Sequence, residues 1–258
     1  MWRVRIILEK EFYELIRQRA LLGGVLGPAF ILTALPIIMM ALSTTMIGAS
    51  TALPSNLPAV GGLGAREVAQ VFVGIEFSAL YVLLPVILTS VIAAHSVVGE
   101  KGARTLEPLL ATPVRTSELL LAKILVALIP GVMITWLSGA IFIVGTRALA
   151  VSDQVVAAIV TPGWLILLVL WAPLLALGAT AGIVMISSRV NDPRSAQQLS
   201  ATLVVPFLIL FVGQAAGRFV LTPGLALEVG AALGILAILM VRVATGFFQR
   251  ETILTKWR

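Results

Sequence analysis

The sequence predicts an all-α membrane protein. Six transmembrane helices follow an amphipathic interfacial helix, and a short cytoplasmic helix lies between spans 2 and 3. Three observations carry this. Hydrophobic residues make up 59% of the 258 positions and charged residues only 12%, against roughly a quarter charged in globular domains. The mean hydropathy is +1.07. The apolar stretches are long enough for about six spans of ~20 residues, which leaves no room for a sizeable soluble domain, so residues 1–258 read as one transmembrane unit.

Residues 1–20 alternate apolar and charged positions at helical spacing. Val4, Leu8, Phe12 and Leu15 share one face, and Trp2, Ile6 and Tyr13 form a narrower stripe nearly opposite. Such a helix can lie on a membrane surface and still press its other side against a partner. Charges run through it without a short apolar core or a small-residue cleavage site, unlike a signal peptide. The first span is expected over about 21–42, with Gly23 and Gly27 allowing close helix approach and Pro28 and Pro36 bending it. A loop rich in Ser, Thr, Pro and Gly is expected over 43–70. The second span follows at 71–98, long, with Pro85 inside and Glu76 near its start. The third is expected over 117–145, with Pro130, and then a short loop carrying Arg147 and Asp153. The fourth, 164–186, contains Pro173 and pairs Gly178 with Gly182. The fifth is expected over 199–214, with Pro206. The sixth, 225–241, has Gly230 and Gly234 one turn apart.

Lysines and arginines fix the orientation. Residues 1–20, 99–123, 187–199 and 242–258 hold five, four, two and four of the 18 basic residues, and only Arg66, Arg147 and Arg218 fall elsewhere. The split alternates with the spans and places both termini and both polar loops in the cytoplasm. The net charge of +6 is then explained by anionic headgroups rather than by nucleic acid. With no cysteine, disulfides and thiolate metal sites are excluded.

The most informative stretch is Gly99–Lys123, GEKGARTLEPLLATPVRTSELLLAK. Thr105 can cap a short helix over 106–111, with Pro108 tolerated in its first turn. Thr112-Pro113 then stops that helix, because a residue before proline is pushed out of the α region. The chain holds no Gly-Lys pair and so no phosphate-binding loop, no His-Glu-x-x-His and no Gly-x-Ser-x-Gly. His95 is the sole histidine and reads more simply as a packed or interfacial residue than as a ligand. Glu76 and Glu228 are the carboxylates that intrude on spans, each near an outer end. Gradient-driven transport usually leaves more intramembrane carboxylates than this, so the expected energy source is a soluble ATPase pressing on a stiff cytoplasmic feature.

The Gly99–Lys123 stretch resembles the segment that marks permease subunits of type-2 ABC exporters, through Glu100, Lys101, Gly102, Thr105, Leu106, Glu107, Leu109, Leu110, Thr112, Pro113 and Lys123. Arg189, Asp192, Pro193, Arg194, Ala196, Gln197 and Gln198 resemble the family's pattern before its fifth span, as does the closing Arg250-Glu251-Thr252-Ile253-Leu254. The likeness covers nearly the whole chain. It implies a homodimeric or paired permease, non-catalytic itself, working with two cytoplasmic ATPase subunits. ATP and Mg would sit on those subunits, with no cofactor, metal or catalytic residue on this chain. It implies that the N-terminal helix lies beside the ATPase and that a coupling helix maps onto Leu106–Thr112. The residues facing the ATPase would be Glu100, Arg104, Thr105, Leu106, Glu107, Leu109, Leu110, Thr112, Pro113, Arg189, Asp192 and Arg194. Spans 2 and 5 would line the pathway, through Phe72, Tyr81, Phe207, Phe211 and Gln214, in a prokaryotic inner or plasma membrane. One departure is the short segment after the fifth span, together with a first outer loop lacking a large insertion, which argues against subfamilies with big external domains. Two alternatives stand beside this: a gradient-driven transporter or channel sensitive to Glu76→Gln or Glu228→Gln, and a membrane anchor passing ATPase motion to an external partner.

Overall fold

A computed structural model describes residues 2–46, 63–102, 116–187 and 222–247. Every regular element among them is helical. In chain order these are α1 (Trp2–Arg17), α2 (Arg19–Met46), α3 (Ala65–Ser78), α4 (Leu83–Gly102), α5 (Thr116–Leu149), α6 (Asp153–Ile159), α7 (Pro162–Ile166), α8 (Ala172–Ser187) and α9 (Pro223–Phe247). A 3₁₀ turn, Ala79–Val82, joins α3 to α4, and a π segment, Leu167–Trp171, joins α7 to α8. By length and composition five stretches among the described residues can cross a membrane: Leu21–Ser43, Arg66–Ser96, Glu118–Leu149, Pro162–Ile186 and Pro223–Gly246. The stretch expected to be a further span, 199–214, lies outside the described residues, as does the short helix expected over 106–111.

Two boundaries differ from expectation. Residues 65–70 are helical rather than loop: at the start of α3 the Glu67 carboxylate reaches back and accepts from Gly64 N–H at 2.7 Å, satisfying one donor at the helix N-terminus. Gln70, one turn on, is fully buried. Its amide nitrogen donates to Leu149 O and its amide oxygen accepts from Val151 N–H, both at 2.9 Å. The clamp holds the turn after α5. Likewise Arg147 belongs to the last turn of α5 and Asp153 opens α6, where a loop was expected. Ile159 of α6 rests over Gly74 of α3, where any side chain would collide with it.

The bundle is built around α4, which touches α2, α5 and α8, while α9 lies on α8 at the edge. Burial follows: most of the fourth span, Pro162–Ile186, is covered, whereas most of the last span is not. Between spans the driving force is packing, since lipid tails are as apolar as leucine, so close approach matters most. Gly178 faces Ala237 and Met240, while Gly230 and Gly234 face Leu170, Trp171 and Leu174. The glycines of the fourth and last spans thus let these two helices approach, Gly178 against Ala237 and Gly230 and Gly234 beneath the larger side chains of the fourth span. By contrast nothing described approaches Gly23 or Gly27.

Both irregular segments precede a proline. Pro85 and Pro173 lack an N–H, which deprives the carbonyls four residues back, Tyr81 and Val169, of their α-helical donor. The 3₁₀ turn and the π segment lie against each other. Indoles supply donors in this layer: Trp136 Nε1 donates to Leu168 O at 3.0 Å, Trp164 Nε1 to Ser78 O at 3.2 Å, and Trp171 Nε1 to Ala226 O at 2.8 Å. Beside them the rings of Tyr81, Phe142 and Trp164 form a triangle with centroids 5.3–5.7 Å apart. Four buried threonines satisfy themselves within their own helices: Thr33, Thr89, Thr135 and Thr180 each donate to the carbonyl four residues back at 2.6–2.7 Å.

At Gly131 a Cβ would stand 2.5 Å from Thr89 Cγ2, and Thr89 is held by its bond to Pro85 O. Gly131→Val is therefore expected to overpack the α4–α5 contact by about 1–3 kcal/mol. Gly23→Ala, entering open space, is expected to leave the thermal midpoint unchanged or slightly raised. Thermal denaturation in detergent micelles checks both.

Candidate functional site

The site lies where α1 meets the ends of α4 and α5, the two helices that flank residues 103–115. On α1, Leu8 and Leu15 pack against the core. Glu11 falls between them at i+3 and i+4 spacing, so the helical period turns it inward with them. The second stripe faces out, with Ile6, Tyr13 and Ile16 exposed. On that side Arg5–Glu9 and Lys10–Glu14 pair along the helix at 2.9 and 3.4 Å, and Arg17 lies over the Tyr13 ring.

On α5, Leu119, Leu120, Ala122, Ile124, Val126 and Ala127 are buried, and Lys123 is buried among them. Its side chain is 0% exposed, and that of Glu11 is 6%. Lys123 Nζ reaches Glu11 Oε1 at 3.4 Å, Ser96 O at 3.0 Å and Ser96 Oγ at 3.1 Å. The Ser96 hydroxyl donates to the other Glu11 oxygen at 2.8 Å. Three helices from distant parts of the chain thereby converge on one buried ion pair bridged by a hydroxyl. A buried ammonium beside a carboxylate is tolerated only when hydrogen bonds take up the remaining donors and lone pairs, and the Ser96 carbonyl and hydroxyl provide them.

The residues expected to face an ATPase are placed as follows. Glu100 lies in the last turns of α4. Arg104, Thr105, Leu106, Glu107, Leu109, Leu110, Thr112, Pro113, Arg189, Asp192 and Arg194 lie outside the described residues, as do Phe207, Phe211 and Gln214. Of the expected pathway residues, Phe72 is half-buried on α3. Tyr81 is 1% exposed, inside the protomer, and its hydroxyl donates to Ser138 O at 3.2 Å. His95 and Glu76 are half-buried, and Glu228 is exposed near the start of α9. Among the described residues no group of three or more His, Asp or Glu could hold a metal ion.

Sequence reasoning missed Glu11 and gave Lys123 no role beyond closing the motif. Glu11 sits in the run Glu9-Lys10-Glu11-Phe12-Tyr13-Glu14, whose composition reads as solvated. Its phase with Leu8 and Leu15 is the signal that places it inward.

No curated protein matches the chain. The family described as ABC-2 family transporter protein matches residues 5–248. That match extends from the first turn of α1 past the end of α9, and so takes in the whole convergence of α1, α4 and α5. A multi-pass, helical chain matched over nearly its full length belongs to the ABC-2 family of transporter proteins and is a permease subunit of an ABC transporter.

Proposed function

We propose that the chain, paired with a second copy or a paralogous permease, forms the membrane pathway of an ATP-driven exporter, and that two separate cytoplasmic ATPase subunits move it. ATP and Mg bind those subunits. The stroke enters through the loop at 103–115, where Leu106–Thr112 acts as the coupling helix with Glu100, Arg104 and Pro113 around it. Arg189, Asp192 and Arg194 form a second contact. Both termini and both polar loops face the cytoplasm of a prokaryotic inner or plasma membrane, as the distribution of basic residues supports. ATP-driven closure of the ATPases then switches the permease between inward- and outward-facing states. Phe72, Phe207, Phe211 and Gln214 line the pathway.

The observation that carries this reading is the fastening of the helices that flank that loop. The helix before it and the helix after it are fastened to each other and to α1 by the Glu11–Ser96–Lys123 cluster. A push on the loop is therefore delivered to helices that cannot yield separately. Leu109→Asp and Leu110→Asp, each placing a charge on the apolar side of the coupling helix, are expected to abolish ATPase binding and stimulation in pull-downs and phosphate-release assays with candidate ATPases. Unchanged binding and stimulation overturn the assignment. Transport by liposomes holding this chain alone overturns the dependence on ATP.

A further inference from the structure

We propose that Glu11, Ser96 and Lys123 are positioning residues that act as a latch. They hold α1 in one register on the ends of α4 and α5, so that the three helix ends travel as one body when the loop is pushed. This rests on the reading that ATPase subunits act on the 103–115 loop. It adds that α1 is a moving part of the transmission rather than a passive surface anchor.

Adhesion alone does not call for this chemistry. Leu8 and Leu15 already pack α1 against the core, and apolar packing tolerates small slides and rotations. The polar cluster does not. One carboxylate oxygen of Glu11 is taken by the Ser96 hydroxyl at 2.8 Å, and the other faces Lys123 Nζ at 3.4 Å. The same ammonium reaches the Ser96 carbonyl at 3.0 Å. Each of the three residues contacts the other two. A one-residue step of α1 turns its face by about 100° and would part the Glu11 carboxylate from Lys123, whose side chain has no exposure to water. Buried ionic groups are best attested in this role of fixing register.

The chain has no cysteine, so spin labels can be placed at will in the full-length protein in lipid nanodiscs. Ile16→Cys and Leu137→Cys are exposed positions on α1 and α5 and report the distance between them by pulsed electron resonance. The decisive variant is Glu11→Leu with Lys123→Met, which replaces the pair by apolar groups of similar size. It is expected to keep wild-type helix content, to broaden the distance distribution, and to cut stimulation of Mg-ATP hydrolysis by the partner ATPase about tenfold. Exchange of the pair, Glu11→Lys with Lys123→Glu, is expected to narrow the distribution again. A double apolar variant with a wild-type distribution overturns the proposal, as does one with a broadened distribution and wild-type stimulation. Should the apolar pair fail to fold, Ser96→Ala decides, since it deletes only the bridging hydroxyl. A loss of stimulation of about threefold at unchanged assembly supports the latch, and wild-type stimulation overturns it. If the wild-type chain stimulates no ATPase, the coupling reading fails, whereas the distance measurement still decides whether the cluster positions α1.

Discussion

Lys123→Met alone is expected to destabilise the protein by about 3–5 kcal/mol, because it removes one partner of a buried ion pair and leaves the other buried. The Glu11 carboxylate, 6% exposed, loses the ammonium at 3.4 Å and keeps its bond to the Ser96 hydroxyl. Glu11→Leu in addition is expected to recover most of that loss, since well-packed apolar replacement of both partners is often neutral. Arg5→Ala supplies the contrast. Its pair with Glu9 is short, 2.9 Å, but both side chains are well exposed, 79% and 65%, and its removal is expected to cost less than about 0.5 kcal/mol. Denaturant titration in mixed micelles, followed by far-ultraviolet circular dichroism, reads all three. A Lys123→Met protein as stable as wild type would mean that Glu11 is not held as a buried charge.

Trp164→Ala is expected to cost about 2–3 kcal/mol, by a different route. In a water-soluble core an aromatic-to-alanine change costs about 3–5 kcal/mol, part transfer and part cavity. Between spans the transfer part shrinks, because lipid is as apolar as the site, and the cavity and the lost ring contacts with Tyr81 and Phe142 remain. The Ser78 carbonyl also loses its indole donor. Trp164→Phe keeps most of the ring and removes only that donor, and is expected to cost about 1 kcal/mol. Thermal midpoints of the two variants separate the contributions: equal losses would assign the effect to the hydrogen bond and none to the ring.

The helical membrane class was legible in composition and in the lengths of the apolar stretches. The inward face of α1 was legible in the spacing of Leu8 and Leu15. The burial of Glu11 was present in that same spacing but hidden by its charged neighbours, which is a conflict between phase and composition that phase wins. Its pairing with Lys123, 112 positions away, is set by how α1 folds back on α5, and no local pattern encodes it. The helical start of α3 was overlooked because the Pro-, Gly- and Ser-rich run before it dominates the window, although Glu67 stood three residues past Gly64, where its carboxylate can reach back to the helix start. Of the two irregular segments, Pro85 and Pro173 gave the location of a disturbance. Whether the helix tightens, as at Ala79–Val82, or widens, as at Leu167–Trp171, is decided by neighbours: at Leu168 the donor is Trp136, from another helix.

The widened turn has a consequence for how the chain tolerates changes in length. A π turn accommodates one residue more than the α turn it replaces. Between Leu167 and Trp171 the fourth span therefore carries a spare residue, and the outward-facing Val169 is the natural one to lose. Shortening the chain there lets the backbone relax into regular helix while the segments on either side keep their faces. The same deletion inside α5 would swing every following side chain by about 100°. Slack of this kind, found among the described residues at this one segment, marks where an insertion or deletion can be taken up without scrambling the contacts on either side.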